Sequence, residues 1–332
     1  MSFALDPDST IPEEILRAFD ASGAAISPLR AGRMNRHWLV ETAARKVVLR
    51  RYSRLRTQLA IEWEQALVRH AGSKGWPVPG PIPAGSGETV LVHDSGLWSA
   101  MPYLEGAPRE STGAAAYRIA GRLLGRFHRD LSDFPAEGQR PGLGKTWELD
   151  ILVEPAGAGT FNALLAALAR DHADLAAKVR RQRYRNLREL ARLHYPDLPD
   201  RPIHGDFHRS NLLFSDGELT GVLDFDQCRL DALACDLAPL LVPFQPLEIP
   251  HAAALLDGYQ AVRPLSDLEW AILPALGRAS LLWWVAFLLA TWRGTGSEAA
   301  LEGIARTANE RFPALDAWEP EFRRLYGRAT SP

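Results

Sequence analysis

The pattern of apolar and polar positions changes about a third of the way along the chain. Before that point, short apolar runs of strand length are rich in β-branched and aromatic residues, and one helical pattern covers residues 58–71. The four strand-like runs are residues 37–41, 46–51, 89–93 and 97–101. After Gly106 the pattern is mostly helical and rich in Ala, Leu and Arg. The sequence therefore predicts a small β-rich region followed by a larger helical one.

The first predicted element is a helix near the N-terminus. Thr10 stands where a capping residue is expected, Pro12 falls in the first turn, and Glu13 follows the cap by three residues. We expect this helix to end near Phe19.

One apolar run, at residues 279–292, is uncharged and lies between Arg278 and Arg293. It falls short of the roughly 20 residues that a bilayer-spanning helix needs, so we predict a buried helix and no membrane partner. The start of the chain has neither the basic residues nor the apolar run of a signal peptide. A cytoplasmic protein is therefore expected.

Composition limits the classes of partner. The 332 residues are 46% hydrophobic and 23% charged, which suffices for one large or two medium domains with apolar cores. The formal net charge of -2 provides no attraction to nucleic acid or to an anionic membrane, and neither is expected as a partner. Cys228 and Cys235 lack the spacing of a zinc site and are predicted to be reduced thiols in or near the core. No feature of the sequence indicates an oligomeric state.

Candidate chemistry is concentrated in two neighbouring motifs. Residues 204–211 read HGDFHRSN, and Asp224-Phe225-Asp226 follows after a further apolar stretch. Transfer of a phosphoryl group from ATP requires one carboxylate beside the acceptor hydroxyl and oxygen ligands for Mg²⁺. We predict that Asp206 is the base and that Asn211 and Asp224 bind the metal.

A hairpin explains the spacing of these two motifs. Residues 212–214 and 219–223 have the pattern of two short strands, and Asp216-Gly217 between them is a strong signal for a hairpin turn. Pairing of the strands brings Asn211 and Asp224 to the same open end. An amide oxygen and a carboxylate suit Mg²⁺, which prefers one or two protein oxygens together with waters and substrate phosphates.

The two motifs resemble those of the aminoglycoside phosphotransferase and choline kinase superfamily of small-molecule kinases. That family shows HGD-xxxx-N followed by D-x-D, and often a later Asp-Leu-Ala such as Asp236-Leu237-Ala238. Protein kinases differ, because they carry Arg where this chain has Gly205 and Gly where it has Asp226. The likeness extends more weakly over nearly the whole chain.

The resemblance implies an α+β, two-lobed, protein-kinase-like fold. A small β-rich lobe is expected at residues 1–103 and a larger, mainly helical lobe at residues 104–332. The implied activity is transfer of the γ-phosphate of ATP, with Mg²⁺, to a hydroxyl of an aminoglycoside-, choline- or homoserine-like molecule.

The acceptor is the least determined part of this reading. Residues 281–292 slightly resemble those of homoserine kinases. An aminoglycoside would favour an acidic pocket, but the acids Asp257, Asp267 and Glu269 are scattered along the sequence.

Phosphate contacts are expected in the small lobe. The resemblance points to Arg50 as the phosphate-binding cation, with Lys46 as the alternative. Glu64 in the following helix is expected to pair with this cation, and Glu62 is the alternative, because only one of the two can face the cleft. The turn at residues 32–35, Gly-Arg-Met-Asn, is a candidate for covering the phosphates, although it holds a single glycine.

Residues 101–106, Met-Pro-Tyr-Leu-Glu-Gly, resemble the hinge of kinases, where backbone groups bind adenine. The carbonyl of Pro102 and the N–H of Leu104 are the candidate acceptor and donor.

Three further roles concern the site itself. His204 is expected to prop the catalytic loop, and Asp226 is expected to assist a second metal. His208 or Arg209 is expected to face the leaving phosphoryl group.

The remaining prominent residues are interpreted as structural. Asp231 and Asp236 are assigned to loop or capping positions. His128 and three tryptophans on predicted helices are expected in the core, with an aromatic cage for a quaternary amine as an alternative use of the tryptophans. The tryptophans are Trp283, Trp284 and Trp292.

Two other functions remain open at this point. One is a serine/threonine protein kinase of the same superfamily. The other is a nucleotide-binding scaffold without turnover, against which the intact Asp206, Asn211 and Asp224 argue. The arginine at position 50 leaves room for that scaffold.

Overall fold

The structure is a computed structural model that describes residues 10–29, 35–109, 113–153, 157, 159–243 and 246–329. Its first part is a five-stranded antiparallel sheet with the strand order β1-β2-β3-β5-β4. We call the part built on this sheet the small lobe and the part from Ala107 onward the helical lobe. The strands are β1 (Ala25–Leu29), β2 (Arg36–Glu41), β3 (Lys46–Arg51), β4 (Leu91–His93) and β5 (Gly96–Pro102).

One face of this sheet is covered by a short helix, α1 (Glu13–Ala18). Side chains that alternate along β2 and β3 point to this face, as a half-buried strand requires. Trp38 stacks on Trp98 at 5.3 Å between ring centroids, and both pack with Phe19 in one apolar cluster. The strands predicted from apolar runs are therefore present, with bounds that shift by one or two residues.

One prediction for this region was wrong, and one strand was missed. The residue that caps α1 is Pro12, which makes no side-chain cap hydrogen bond, so Thr10 is not the cap. Strand β1 was not predicted at all. Its residues are mostly exposed and include Pro28, so it lacks the apolar alternation of a half-buried strand.

The helix α2 (Gln58–Ser73) joins the two lobes. Its N-terminus is capped by Thr57, whose hydroxyl accepts a hydrogen bond from the N–H of Ala60 at 3.2 Å. The apolar residues of its second half, Leu67, Val68 and Ala71, pack in the core of the helical lobe. Helix α2 therefore packs against the helical lobe as well as against the sheet. The predicted division between residues 103 and 104 falls in a segment without helix or strand.

The helical lobe holds nine α-helices and five short strands among its described residues. Two small sheets have the orders β10-β7 and β6-β8-β9. The strands are β6 (Ala107–Pro108), β7 (Arg201–Ile203), β8 (Leu212–Ser215), β9 (Glu218–Val222) and β10 (Arg229–Asp231). The helices are α3 (Ala114–Asp130), α4 (Leu149–Val153), α5 (Phe161–Asp171), α6 (Ala173–Arg192), α7 (Ala234–Leu241), α8 (Ile249–Gln260), α9 (Asp267–Thr295), α10 (Glu298–Arg306) and α11 (Phe312–Ala329).

The central element of this lobe is α9. It begins with a capping box formed by Ser266 and Glu269 and ends at Gly296, whose positive φ of 67° closes the helix. By length and composition α9 is the one described helix that could cross a membrane, but 78% of its apolar window is buried inside the protein. The predicted buried helix at residues 279–292 is therefore a stretch of α9, which extends twelve residues further toward the N-terminus.

Three of the four tryptophans of α9, Trp283, Trp284 and Trp292, are partly buried and pack against the core. Trp284 stacks on Phe287 at 5.5 Å between ring centroids. Trp292 meets His172 edge to face at 6.5 Å. These contacts are those of core aromatic residues, as the sequence predicted.

Helices α3 and α8 pack unusually closely. A Cβ added to Gly121 would lie 1.9 Å from the carbonyl oxygen of Leu255, and one added to Gly258 would lie 2.1 Å from that of Arg118. Only glycine fits at both points. The close approach lets a side chain of α3 bond directly to a side chain of α8, which supports the site described next.

Candidate active site

The motif HGDFHRSN forms a loop between β7 and β8. Its second residue is Gly205, whose φ is +80° and where an added Cβ would lie 2.2 Å from the carbonyl oxygen of Gln227. Glycine is thus required at this turn both for its backbone conformation and for space. We call residues 204–211 the catalytic loop.

Asp206 and Asn211 lie side by side in the catalytic loop. The Asn211 amide donates to the backbone oxygen of Asp206 at 2.9 Å and lies 3.4 Å from its carboxylate. The Asp206 side chain remains 34% exposed, so an acceptor hydroxyl can reach it. Asp206 therefore occupies the position that a base facing an open site needs.

His208 also contacts Asp206, with Nε2 3.3 Å from the carboxylate. Partial burial acts to lower the pKa of His208, but the hydrogen bond and the negative charge of Asp206 outweigh it and raise the pKa. Ser210 bonds to the other ring nitrogen at 2.7 Å. These two contacts fix the orientation of the His208 ring beside the Asp206 carboxylate.

Asp224 reaches Asn211 through the predicted hairpin. Strands β8 and β9 pair with Leu212 opposite Val222, and the turn at Asp216-Gly217 has positive φ at both residues, as a two-residue hairpin turn requires. The N–H of Leu223 donates to the carbonyl oxygen of Asn211 at 2.8 Å. Both candidate ligands therefore stand at the same end of the hairpin.

The environment of Asp224 favours a cation. Its side chain is exposed and lines the cavity, and desolvation by the surrounding protein together with the charge of Asp206 raises its pKa against the opposing charge of Arg50. Among the described residues no hydrogen-bond donor contacts this carboxylate, and no cluster of three or more His, Cys, Asp or Glu side chains could hold a metal alone. An amide and a carboxylate fit Mg²⁺ when substrate phosphates supply further ligands.

His204 ties the catalytic loop to the strand before Asp224. Its Nε2 donates to the carbonyl oxygen of Leu223 at 3.0 Å, and its Nδ1 accepts from the N–H of Asp206 at 3.2 Å. Burial lowers the pKa of His204, against the opposing charges of Asp236, Asp206 and Asp224. A neutral imidazole fixed in this way has the contacts that a propping role requires.

Asp236 holds the catalytic loop in place through buried hydrogen bonds, a role that was not predicted from the sequence. Its carboxylate, fully buried in the first turn of α7, accepts from the N–H groups of His204 at 2.8 Å and Gly205 at 2.6 Å and bonds to His128 at 3.0 Å. Burial alone would raise the pKa of Asp236, but the histidine and backbone donors hold it below its ordinary value. The expected loop or capping role is therefore wrong. The Asp-Leu-Ala triplet was the signal that pointed to this position.

Asp231 is likewise not a capping residue. It is fully buried at the end of β10, where its carboxylate accepts from the hydroxyl of Tyr195 and from both the N–H and the hydroxyl of Thr146. Arg229 lies 3.3 Å away from the same carboxylate. Asp231 thus anchors the β7–β10 sheet.

Arg50 and Glu64 form a buried ion pair at 2.9 Å. The alternatives lie at the surface: Lys46 pairs with Glu41 and Glu105, and Glu62 accepts a bond from Gln58. The structure thus brings Arg50 and Glu64 together in the cleft. Burial opposes the charge on Glu64, but the adjacent arginines hold its pKa below the ordinary value.

Asp226 does not stand with the metal ligands. Its carboxylate bonds to Arg50 and to the amide of Asn35. The role in a second metal site that the sequence suggested for Asp226 stays a prediction, and in this structure the carboxylate is engaged by Arg50 and Asn35. Asn35 is the last residue of the turn predicted to cover the phosphates, and the rest of that turn, residues 32–34, lies outside the described residues.

A cavity of about 440 Å³ lies between the lobes and contains the candidate nucleotide contacts. Its inner wall is apolar, and Arg50, Asn211 and Asp224 line its other end. Among the described residues, the N–H of Leu104 donates no hydrogen bond, so it is available to adenine. The apolar wall includes Val48, Val68, Ala100, Met101, Pro102, Leu104 and Leu213.

Arg140 was not predicted from the sequence. This residue lies in the loop after α3, is 1% exposed, and bonds to Glu64 at 2.5 Å. No local periodicity or motif surrounds it, so only the tertiary structure reveals it.

Comparison with known proteins identifies the family of this chain. Residues 25–271 match the model of a family described as the phosphotransferase enzyme family. A homoserine kinase of Methylobacterium radiotolerans is 29% identical over 287 residues, which are 84% of each chain. A homoserine kinase of Rhizobium rhizogenes is 30% identical over 272 residues, which are 80% of each chain.

Solved structures share the fold at lower identity. The amicoumacin kinase hAmiN, in complex with AMP-PNP, Ca²⁺ and Ami, superposes with a TM-score of 0.69 at 16% identity, covering 90% of this chain and 91% of its own. A microcompartment-associated aminopropanol kinase gives 0.69 at 20% identity, with 93% and 97% covered. An aminoglycoside phosphotransferase from Alicyclobacillus acidocaldarius gives 0.67 at 15% identity, with 96% and 98% covered. The expected two-lobed α+β kinase fold is confirmed.

Proposed function

Since the chain belongs to the phosphotransferase enzyme family, we propose that it transfers the γ-phosphate of Mg·ATP to the hydroxyl of homoserine. It is an ATP-dependent phosphotransferase that acts on an alcohol group of a small molecule. The choice of homoserine rests on one observation: two homoserine kinases match it at 29% and 30% identity over at least 80% of each chain.

The catalytic loop supplies the base. The acceptor hydroxyl loses its proton to the Asp206 carboxylate while its oxygen bonds to the γ-phosphorus. The bond from that phosphorus to the bridging oxygen breaks, and ADP leaves. Little covalent work by the protein is needed, so positioning supplies most of the rate.

The phosphates are assigned to the cation end of the cavity. Asn211 and Asp224 would hold Mg²⁺, which neutralises phosphate charge when bound. Arg50 lines the same cavity, and its Nε–H has no hydrogen-bond partner among the described residues. An unsatisfied, buried N–H beside the expected phosphates supports a direct contact with them.

An arginine close in sequence to the base suits an amino acid acceptor. Arg209 follows Asp206 by three residues, and its guanidinium lies 5.9 Å from the ring centroid of Tyr117. Tyr117 in turn lies 5.0 Å from the His251 ring. Homoserine carries a carboxylate, which an arginine binds through two parallel hydrogen bonds. We assign the carboxylate of the acceptor to Arg209.

Two of the three acids considered for an aminoglycoside are engaged in ion pairs. Glu269 belongs to the capping box of α9 and pairs with Arg263 at 2.7 Å. Asp257 lies 3.6 Å from Arg118 on the surface. Both carboxylates are thus paired with arginines of the protein, which favours an acceptor other than an aminoglycoside.

The test is ADP release with a panel of acceptors at fixed Mg·ATP. Homoserine, choline, ethanolamine, an aminoglycoside and a generic protein are compared, with Asp206→Asn as the inactive control. The product is identified as a phosphate monoester by mass spectrometry. The proposal requires the highest kcat/KM for homoserine, and a higher value for any other acceptor would refute it.

A further inference from the structure

Arg140 is the most extensively bonded buried cation near the site. It lies in the loop between α3 and α4 and contacts both lobes. Its Nε donates to the carbonyl oxygen of Ala60 at 3.0 Å, and its Nη2 bonds to Glu64 at 2.5 Å. Its Nη1 lies within hydrogen-bonding distance of the carbonyl oxygens of Phe225 at 3.1 Å, Asp226 at 3.0 Å and Cys228 at 3.2 Å.

These bonds connect two parts of the cavity that are distant in sequence. Ala60 and Glu64 belong to α2, whereas residues 225–228 follow directly after Asp224. Glu64 also holds Arg50, the candidate phosphate contact. One guanidinium therefore fixes the position of Arg50 through Glu64 and the position of Asp224 through the backbone that follows it.

Arg140 is part of a group of largely buried charges. Arg50 pairs with Glu64 and Asp226, and Arg140 pairs with Glu64. Arg56 bonds to the backbone oxygen of Asp226 in the same group. Removing one member leaves an uncompensated charge in a poorly solvated place, which is costly. A lysine in place of Arg140 keeps the charge, but it cannot reproduce a planar guanidinium that bonds in several directions at once.

We propose that Arg140 is a positioning residue for nucleotide binding, holding Arg50 and Asp224 in place before ATP arrives. Its guanidinium touches neither nucleotide nor acceptor and acts through Glu64 and the backbone of residues 225–228. The inference rests on the proposed function for its use of ATP, but not for its acceptor.

The test measures affinity for AMP-PNP by isothermal titration calorimetry with Mg²⁺ and without any acceptor. Arg140→Lys and Arg140→Met are compared with wild type. Arg278→Lys and Arg278→Met are the matched controls. Arg278 is 0% exposed and pairs with Asp316 at 2.8 Å and Glu319 at 3.4 Å, in the helical core away from the cavity. Melting temperatures are measured for all five proteins.

We expect both Arg140 variants to raise the Kd for AMP-PNP about tenfold or more, which is the effect of one lost charge-assisted hydrogen bond. The Arg278 variants should lower the melting temperature comparably and leave the Kd within about twofold. Arg140→Met is the harsher change, so if it does not fold, the decision rests on Arg140→Lys.

Two results would overturn the inference. One is a Kd unchanged in the Arg140 variants, and the other is an equal rise in the Arg140 and Arg278 variants, which would reflect general loss of stability. A double-variant cycle with Glu64→Gln adds a second criterion: the two effects on Kd must be less than additive. If the affinities for AMP-PNP are as expected but homoserine is not phosphorylated, the proposal of homoserine as the acceptor is refuted. The proposed role of Arg140 is then unaffected.

Discussion

The ring of His128 lies between the Asp236 carboxylate, 3.0 Å from Nε2, and the Tyr259 hydroxyl, 2.8 Å from Nδ1. Because a carboxylate only accepts, Nε2 carries the proton and Nδ1 accepts from the tyrosine. Arg263 then donates to the Tyr259 oxygen at 3.1 Å. A buried chain of hydrogen bonds thus runs from α8 to the backbone of the catalytic loop.

This chain predicts a graded loss of stability. His128→Phe should destabilise the protein by about 1–3 kcal/mol, because it leaves the buried Asp236 carboxylate short of a donor. Tyr259→Phe removes only the outer bond and should cost about 1 kcal/mol. Urea denaturation measures both. A larger loss in Tyr259→Phe than in His128→Phe would contradict the chain as described.

Stability should also depend on the protonation of His204. Since burial lowers the folded-state pKa of His204, the unfolded chain binds its proton first as pH falls. The contribution of neutral His204 to the free energy of unfolding is therefore fully present above the pKa of about 6.5 that the residue has in the unfolded chain. This contribution is lost as the pH falls toward the lower pKa of the folded state.

The measurement is the free energy of unfolding in urea at several values between pH 8 and pH 5. His204→Gln should show a shallower decline below about pH 6.5 than wild type does. His194→Gln is the control, because the His194 side chain is 75% exposed. Parallel curves for wild type and His204→Gln would refute the assignment.

Asn211 and Asp224, at the end of the hairpin, should determine the Mg²⁺ concentration that activity requires. Asp224→Asn removes the negative charge that faces the cavity, so we expect a higher Mg²⁺ concentration for half-maximal activity. Asp216→Asn makes the same chemical change in the exposed hairpin turn, at a residue with φ of 50° that Asn tolerates. It should leave the Mg²⁺ dependence unchanged. Equal Mg²⁺ curves for Asp224→Asn and wild type would exclude Asp224 as a ligand.

Much of the site follows from local sequence. The turn residues Asp216 and Gly217 have a backbone preference that fixes the hairpin, and the hairpin in turn brings Asn211 beside Asp224. Strand β3 has a valine-rich pattern that a half-buried strand requires. Such features depend on neighbours in sequence, so the chain alone predicts them.

The features that were missed depend on contacts between distant segments. Asp226 meets Arg50 across 176 positions, and Arg140 meets Glu64 across 76. Strands β7 and β10 are three residues each and pair across two intervening strands. No local period encodes these pairings, because the partner is chosen by the packing of the whole lobe.

The proposed contact between Arg209 and the acceptor carboxylate makes the sharpest prediction about specificity. 3-Amino-1-propanol is homoserine without its carboxylate, so the two acceptors differ only in the group assigned to Arg209. Arg209→Met should raise the KM for homoserine by about tenfold or more and leave the KM for 3-amino-1-propanol unchanged. The Kd for AMP-PNP should also stay constant, which separates a defect in the acceptor site from one in the nucleotide site.

The matched control is Arg118→Met, which removes one positive charge from the neighbour of Tyr117. Arg118 is exposed and pairs with Asp257 on the surface. If steering by net charge were the cause, both variants would raise the KM for homoserine equally. If Arg209 binds the carboxylate, only Arg209→Met raises the KM for homoserine. The ratio of the KM for 3-amino-1-propanol to the KM for homoserine then falls in that variant alone. Equal KM values for wild type and Arg209→Met would place the carboxylate site elsewhere.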